Sequence, residues 1–371
     1  MKKIYWNSSI ASAYLLHMLV VFMASYLSSN FINPLKAENW EATKVSIINS
    51  FARWDSGWYW GISEFGYNEL QKAAFFPLYP YLMKYTVKLF SIFGLDGNIA
   101  YISSGLIISN IAFIGALYFV FRIVEMRHSK SLAKKTIFII ALFPTSLFFT
   151  SVYTESLFLF TLSAAFYFGY KQKWLLVGIC CALCVLTRNL GVFAVFSLMI
   201  LYIKSEKTTL GFNKKTFLDF LYVCIIPFVA FLSFLLLMYI KFRDPFAFLS
   251  AQNYWGRNFE FPWTAIINTF IASKYDFLFT ITFVIMLITS YRKLPLEQWS
   301  FFFFSLLIPI TSVALDGTLG SIPRYVIIIF PAFLYLALII RDRITYNVLL
   351  TISIINLFFL QMMFANWYWV A

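Results

Sequence analysis

Apolar runs of 14 to 23 residues, separated by short polar loops, recur along the whole chain. A bilayer core about 30 Å thick takes about 20 such residues as one helix, and a helix satisfies its own backbone hydrogen bonds in lipid. The ten-residue alternation of a membrane β-barrel is absent. The pattern predicts an all-α integral membrane bundle of about eleven membrane helices, within a range of nine to twelve. The expected spans are 10–28, 99–121, 136–150, 155–170, 174–187, 190–203, 219–240, 277–290, 299–315, 325–340 and 346–364. At fourteen residues, 174–187 and 190–203 would each rise only about 21 Å. They are expected to form a hairpin bending within the membrane at Thr187-Arg188-Asn189-Leu190-Gly191.

Segment 75–94 decides the topology. It is apolar enough to span, but a crossing there would put Arg122, Arg127, Lys130, Lys134 and Lys135 outside, against the positive-inside rule. Lys84 and Lys88 stand four residues apart, on one helical face, so the segment is expected as an amphipathic helix on the outer surface. The N-terminus then lies inside, with the first run a retained signal-anchor. Basic residues dominate the inner loops and balance the acidic ones in the outer loops. Residues 1–371 are expected as a single transmembrane domain, with large outer loops at 30–94 and 241–276 and a smaller one at 316–324. Any active site should face outward.

Composition agrees. Of 371 residues, 61% are hydrophobic and 12% charged, with a mean hydropathy of +0.78; a soluble domain carries roughly 25% charged residues. The net charge of +13 sits in loops between apolar runs, as a topology signal rather than a nucleic-acid footprint. Cys180, Cys181, Cys184 and Cys224 lie in apolar stretches and form no disulfide framework. His17 and His128 are too few for a histidine-rich metal site, and no P-loop or dinucleotide fingerprint occurs.

A few outward positions could carry chemistry. Asp55 lies in Arg53-Trp54-Asp55-Ser56-Gly57-Trp58-Tyr59-Trp60 and is a candidate general base for a hydroxyl, given hydrogen-bond reach. The plainer role is a helix cap among interfacial tryptophans. Glu155, in Tyr153-Thr154-Glu155-Ser156-Leu157, either favours a helix N-terminus or holds a metal or a sugar hydroxyl opposite Asp55. Arg188, inside the apolar hairpin, needs a carboxylate, carbonyl or lipid-phosphate partner. Arg324, beside Pro323 and Tyr325, either snorkels to headgroups or binds a phosphate or phosphosugar. Trp255, Arg257 and Trp263 are weaker candidates, as interface anchors or sugar platforms.

At these residues the chain resembles the PIG-V family of polytopic GT-C mannosyltransferases, related to the enzyme that adds the second mannose of GPI anchors. The resemblance is carried by Arg53-Trp54-Asp55 with Trp58-Tyr59, Ala74-Phe75-Phe76-Pro77-Leu78-Tyr79-Pro80, Phe143-Pro144-Thr145, and Tyr153-Thr154-Glu155-Ser156-Leu157-Phe158. Leu186-Thr187-Arg188, Pro323-Arg324-Tyr325 with Phe330-Pro331, and Trp369-Val370-Ala371 continue it in order. It implies transfer of a hexose, mannose first, from a polyprenyl-phosphate donor to a hydroxyl of a lipid or cell-envelope glycan, on the extracytoplasmic side and with inversion. It implies Asp55 as catalytic base, with Arg53, Trp54, Trp58, Tyr59, Glu155, Arg188, Arg324 and Tyr325 around the substrates. A lone Glu155 replaces an Asp-x-Asp pair, so a divalent cation held by Glu155 stays open, and no separate soluble C-terminal domain is expected. The Lys-rich, Phe-rich composition suggests an AT-rich bacterial source and hence the plasma membrane. A transporter or flippase for a lipid-linked glycan is the competing function; it would use the same groove and arginines, but no internal repeat supports it.

Overall fold

The computed structural model describes residues 8–35, 46–206, 214–315 and 317–371. Met1-Lys2-Lys3, positions 36–45 of the first large loop and Asp316 of the third lie outside the described residues. Helix α1 (Ser8–Phe31) leads to α2 (Ser46–Asn49), α3 (Ser56–Phe65), a 3-10 turn at Leu70–Ala74 and α4 (Leu78–Ser91). These cap the end of the bundle that carries Asp55, the site end. Helix α5 (Gly97–Arg127) descends, α6 (Lys130–Ala141) climbs back, a 3-10 turn at Ser146–Phe149 follows, and α7 (Glu155–Tyr170) descends again. The hairpin α8 (Trp174–Thr187) and α9 (Gly191–Glu206) precedes α10 (Lys214–Phe242). Beyond α11 (Ala247–Tyr254) and α12 (Pro262–Ala272) come α13 (Lys274–Ser290) and α14 (Leu296–Thr311). The chain then forms α15 (Ile322–Tyr325), a 3-10 turn at Val326–Ile328, α16 (Phe330–Ile339) and α17 (Arg343–Ala365). Two short strands, β1 (Asn258–Phe259) and β2 (Ser312–Val313), pair antiparallel and tie the second large loop to the end of α14.

Helical structure occupies each of the eleven expected positions, but length separates them. Among the described residues, only α1, α5, α10 and α17 are long and apolar enough to cross a membrane alone. The expected span 325–340 is instead broken: α15 with its 3-10 turn meets α16 at an 80° bend. Pro323 and Pro331 account for the interruption, since each lacks the N–H that would continue the ladder. The expected span 136–150 is likewise split, α6 stopping at Ala141 before Pro144.

Irregular backbone inside a membrane protein must find partners, and it does. His17 of α1 bonds the Ala141 carbonyl through Nδ1 at 2.7 Å and the Thr150 hydroxyl through Nε2 at 3.0 Å. Thr145 Oγ1 donates to the Pro323 carbonyl at 2.7 Å, pinning the two breaks together. Ser109 of α5 donates to the Tyr153 carbonyl at 3.2 Å and contacts the Tyr79 hydroxyl of α4 at 2.7 Å.

Segment 75–94 forms α4, which buries Tyr79, Pro80 and Met83 and leaves Tyr85 and Leu89 exposed. Helix α8 packs closely along α10 because Gly178 has no side chain; a Cβ there would stand 2.2 Å from the Tyr222 carbonyl oxygen. The 16 residues of α7 and 14 of α8 rise only about 24 and 21 Å. Their ends meet at the site end, at the level where Gly105 of α5 contacts Val152. The first two turns of α5 stand above that level. The site is recessed.

Candidate active site

Four charged side chains from four chain segments meet in this recess. Asp55 immediately precedes α3, and the structure corrects the cap reading: α3 does begin at Ser56, but the Asp55 carboxylate makes no cap hydrogen bond. It forms an ion pair with Arg324 Nη1 on α15. Arg324 Nε faces Glu155 Oε1 at 3.4 Å, a charge contact without hydrogen-bond geometry. Glu155 Oε1 in turn accepts from Arg188 Nη1 at 2.5 Å, and Arg188 also donates to Thr154 Oγ1 at 3.0 Å. The chain Asp55–Arg324–Glu155–Arg188 alternates in sign and is neutral as a set.

Burial ranks its members. Side-chain exposure is 0% for Glu155, 9% for Arg188, 10% for Arg324 and 19% for Asp55. Asp55 is thus the charge most available to a visitor. Aromatic faces hold the guanidiniums: Arg188 lies 5.2 Å from the Tyr325 ring centre, and Arg324 lies 5.5 Å from Tyr153 and 5.9 Å from Trp369. The Asp55 backbone N–H donates to the Tyr153 hydroxyl, which donates to the Arg53 carbonyl, both at 3.2 Å. The Tyr59 hydroxyl sits 3.3 Å from Thr154 Oγ1, and burial, then the Glu155 charge, push its pKa up, so it stays a protonated phenol.

Two backbone positions beside these charges are left-handed without being glycine: Trp54 at φ +54° and Ser321 at φ +68°. Each costs about 1–2 kcal/mol relative to a right-handed residue; Trp54 directly precedes Asp55, and Ser321 lies three residues before Arg324.

A cavity of about 320 Å³ opens onto this network, lined by Asp55, Arg324, Arg257, Trp54, Phe75 and Trp255 among others. Arg257 donates to the Gly320 carbonyl at 3.3 Å and to Ser321 Oγ at 3.4 Å; among the described residues it has no carboxylate partner. The cavity therefore presents one carboxylate and two guanidiniums, an excess of positive charge suited to a phosphate. It fits a divalent cation poorly. Arg324 occupies the space between Asp55 and Glu155, and among the described residues no three His, Cys, Asp or Glu side chains converge.

The sequence matches the mannosyltransferase (PIG-V) family over residues 5–305. The chain belongs to that family. The matched region contains Asp55, Glu155 and Arg188 and ends before Arg324. No curated protein matches. Among solved structures, this chain is similar to the oligosaccharyltransferase of Archaeoglobus fulgidus in its apo form, with 12% identity and a TM-score of 0.53 over 99% of this chain and 56% of that one. The same archaeal protein with an inhibitory peptide and a dolichol-phosphate gives 12% identity and a TM-score of 0.47 over 95% and 55%. This chain spans little more than half the length of that protein. The shared architecture is the GT-C bundle of a multi-pass membrane protein.

On this bundle the expected site residues divide. Asp55, Trp54, Arg324 and Tyr325 line the cavity, while Glu155, Arg188 and Tyr59 stand behind its wall. Arg324 is buried rather than snorkelling, and Arg188 takes a carboxylate partner. Arg53, expected beside Asp55, turns away: its Nε donates to the Ala365 carbonyl at 2.9 Å and its guanidinium lies 4.7 Å from the Trp367 ring centre. Trp58 stacks on Phe75 behind the cavity. Trp263 is 63% exposed, stacked on Phe261 away from the site. Thr154, Ser321 and Gln252 join the site although sequence reasoning proposes no role for them; Thr154 lies beside Glu155 in its motif, whereas nothing local marks Gln252.

Proposed function

We propose that the chain transfers mannose from a polyprenyl-phosphate donor to a hydroxyl of a lipid or cell-envelope glycan, with inversion, at the extracytoplasmic face of a bacterial plasma membrane. The observation that carries this reading is the opening of Asp55, Arg324 and Arg257 onto one recessed cavity. The donor phosphate takes Arg324 and Arg257, displacing the Asp55 carboxylate from its ion pair. Asp55 then accepts the proton of the acceptor hydroxyl as that oxygen bonds to the anomeric carbon. The bond from the anomeric carbon to the phosphate oxygen breaks, and the negative charge gained by the leaving polyprenyl phosphate is stabilised by the two guanidiniums. Glu155 is a positioning residue, holding Arg188 and Arg324. Phe75, at the head of the segment running into α4, walls the side from which the prenyl chain enters.

An excess of Lys and Arg in the loops expected inside supports the outward orientation. The test is purified protein in nanodiscs with polyprenyl-phosphate-[labelled mannose] and a panel of envelope lipids. Label appearing on one lipid, dependent on Asp55, is expected. Labelled donor crossing the bilayer of proteoliposomes with no new product would instead establish the flippase reading.

A further inference from the structure

A second and larger cavity, about 660 Å³, runs along the exposed face of α3. That volume is within the range of small-molecule sites. It starts two residues from Asp55, at Gly57, and Trp58, Gly61 and Phe65 line it with the spacing of one helical face. Across from them lie Asn68, Glu69 and Lys72.

Lys72 is the informative residue. Its side chain is 6% exposed, and its ammonium has two hydrogen-bond acceptors and one ring: Asn68 Oδ1, neutral, accepts at 2.5 Å, Glu69, itself 51% exposed, stands at 3.5 Å, and the Phe65 ring centre lies 5.9 Å away. An ammonium carries three donors, and burying one incompletely paired is unfavourable. Gly61 lets the Lys72 side chain lie against α3; a Cβ there would be in van der Waals contact with Lys72, 3.5 Å from Cε and 3.7 Å from Nζ. Aromatic faces, an amide, a carboxylate and an ammonium suit a ring bearing many hydroxyls.

The cavity also adjoins the reaction site. Trp58 stacks on Phe75, with ring centres 5.9 Å apart and planes at 13°, and meets Trp255 edge-on at 5.1 Å. Phe75 and Trp255 line the Asp55 cavity, so one layer of rings separates the two spaces.

We infer that the α3 groove is the acceptor subsite: it binds a sugar-type ring of the acceptor, adjoining the one whose hydroxyl reaches Asp55. This rests on the glycosyl-transfer reading above. The test is saturation-transfer NMR of a mannobiose against the full chain in phosphatidylglycerol nanodiscs. Lys72→Met and Gly61→Leu should each weaken binding at least tenfold, and Asp55→Asn should leave it within twofold. Gly61→Leu keeps the test secure, because leucine is a better helix former than glycine and its side chain would project into the groove that Gly61 lines. Unchanged mannobiose binding in both groove variants would overturn the assignment, as would displacement of mannobiose by an equal concentration of inorganic phosphate. If mannobiose binding behaves as expected while Asp55→Asn still turns over, the groove stands and the transfer mechanism fails.

Discussion

Glu155 is the keystone of the charge network, and replacing it by glutamine tests the geometry with little change in volume. The fully buried carboxylate serves two guanidiniums, Arg188 at 2.5 Å and Arg324 at 3.4 Å. Opposite charges 4 Å apart attract by about 4 kcal/mol at an effective dielectric near 20. Desolvation offsets much of that, so the measurable quantity is the loss when one partner goes, about 3–5 kcal/mol for a buried pair. Glu155→Gln leaves Arg188 without a carboxylate and Arg324 with Asp55 alone. Arg188→Met leaves Glu155 still facing Arg324, so its cost should be smaller. The double variant removes both members of the closer pair, and its cost should fall short of the sum of the singles by about 0.5–3 kcal/mol. Denaturant unfolding of the four proteins in mixed micelles gives these values. Additive costs, or Arg188→Met costing more than Glu155→Gln, would refute the network.

Three further outcomes are expected. Arg257→Ala should raise the donor KM at least tenfold, because this guanidinium lines the cavity without a carboxylate partner among the described residues; steady-state kinetics at varied donor concentration reads it. Gly178→Ala should destabilise by about 1–3 kcal/mol, since its methyl meets the Tyr222 backbone oxygen and overpacks the α8–α10 contact; a lower thermal midpoint is the readout. His17→Leu should cost about 1–3 kcal/mol by removing two buried hydrogen bonds at the α6 break, although the Ala141 carbonyl keeps the Ser146 hydroxyl and Thr150 Oγ1 keeps the Leu147 carbonyl; a lower unfolding midpoint reads it.

The bundle was legible because lipid imposes a strong rule: 155–170 and 174–187, read from apolar length alone, coincide with α7 and α8. The breaks were less so. Pro144 and Pro331 were visible in the sequence, but whether a proline ends a membrane helix or is absorbed depends on partners such as His17 and Thr145, which arrive from elsewhere; Pro227 and Pro309 are absorbed within α10 and α14. At the site, Asp55, Glu155, Arg188 and Arg324 each stood out as charges in apolar surroundings. Their pairing did not. Arg53 was the nearest cation in sequence, yet the left-handed turn at Trp54 accompanies an Arg53 side chain directed toward Trp367, while Arg324 comes from 269 residues away. Lys72 gave no signal at all, since only the fold shows that its ammonium is buried.

The central claim is that Asp55 is the base and shares Arg324 with the donor phosphate. Single-turnover transfer by wild type and Asp55→Asn, each pre-loaded with polyprenyl-phosphate-mannose, tests it most directly. A lost general base lowers the rate by about 10²–10⁴, and because the carboxylate competes with phosphate for Arg324, the donor Kd of the variant should be equal or lower. Transfer at the wild-type rate, or a donor Kd that rises tenfold, would contradict the account.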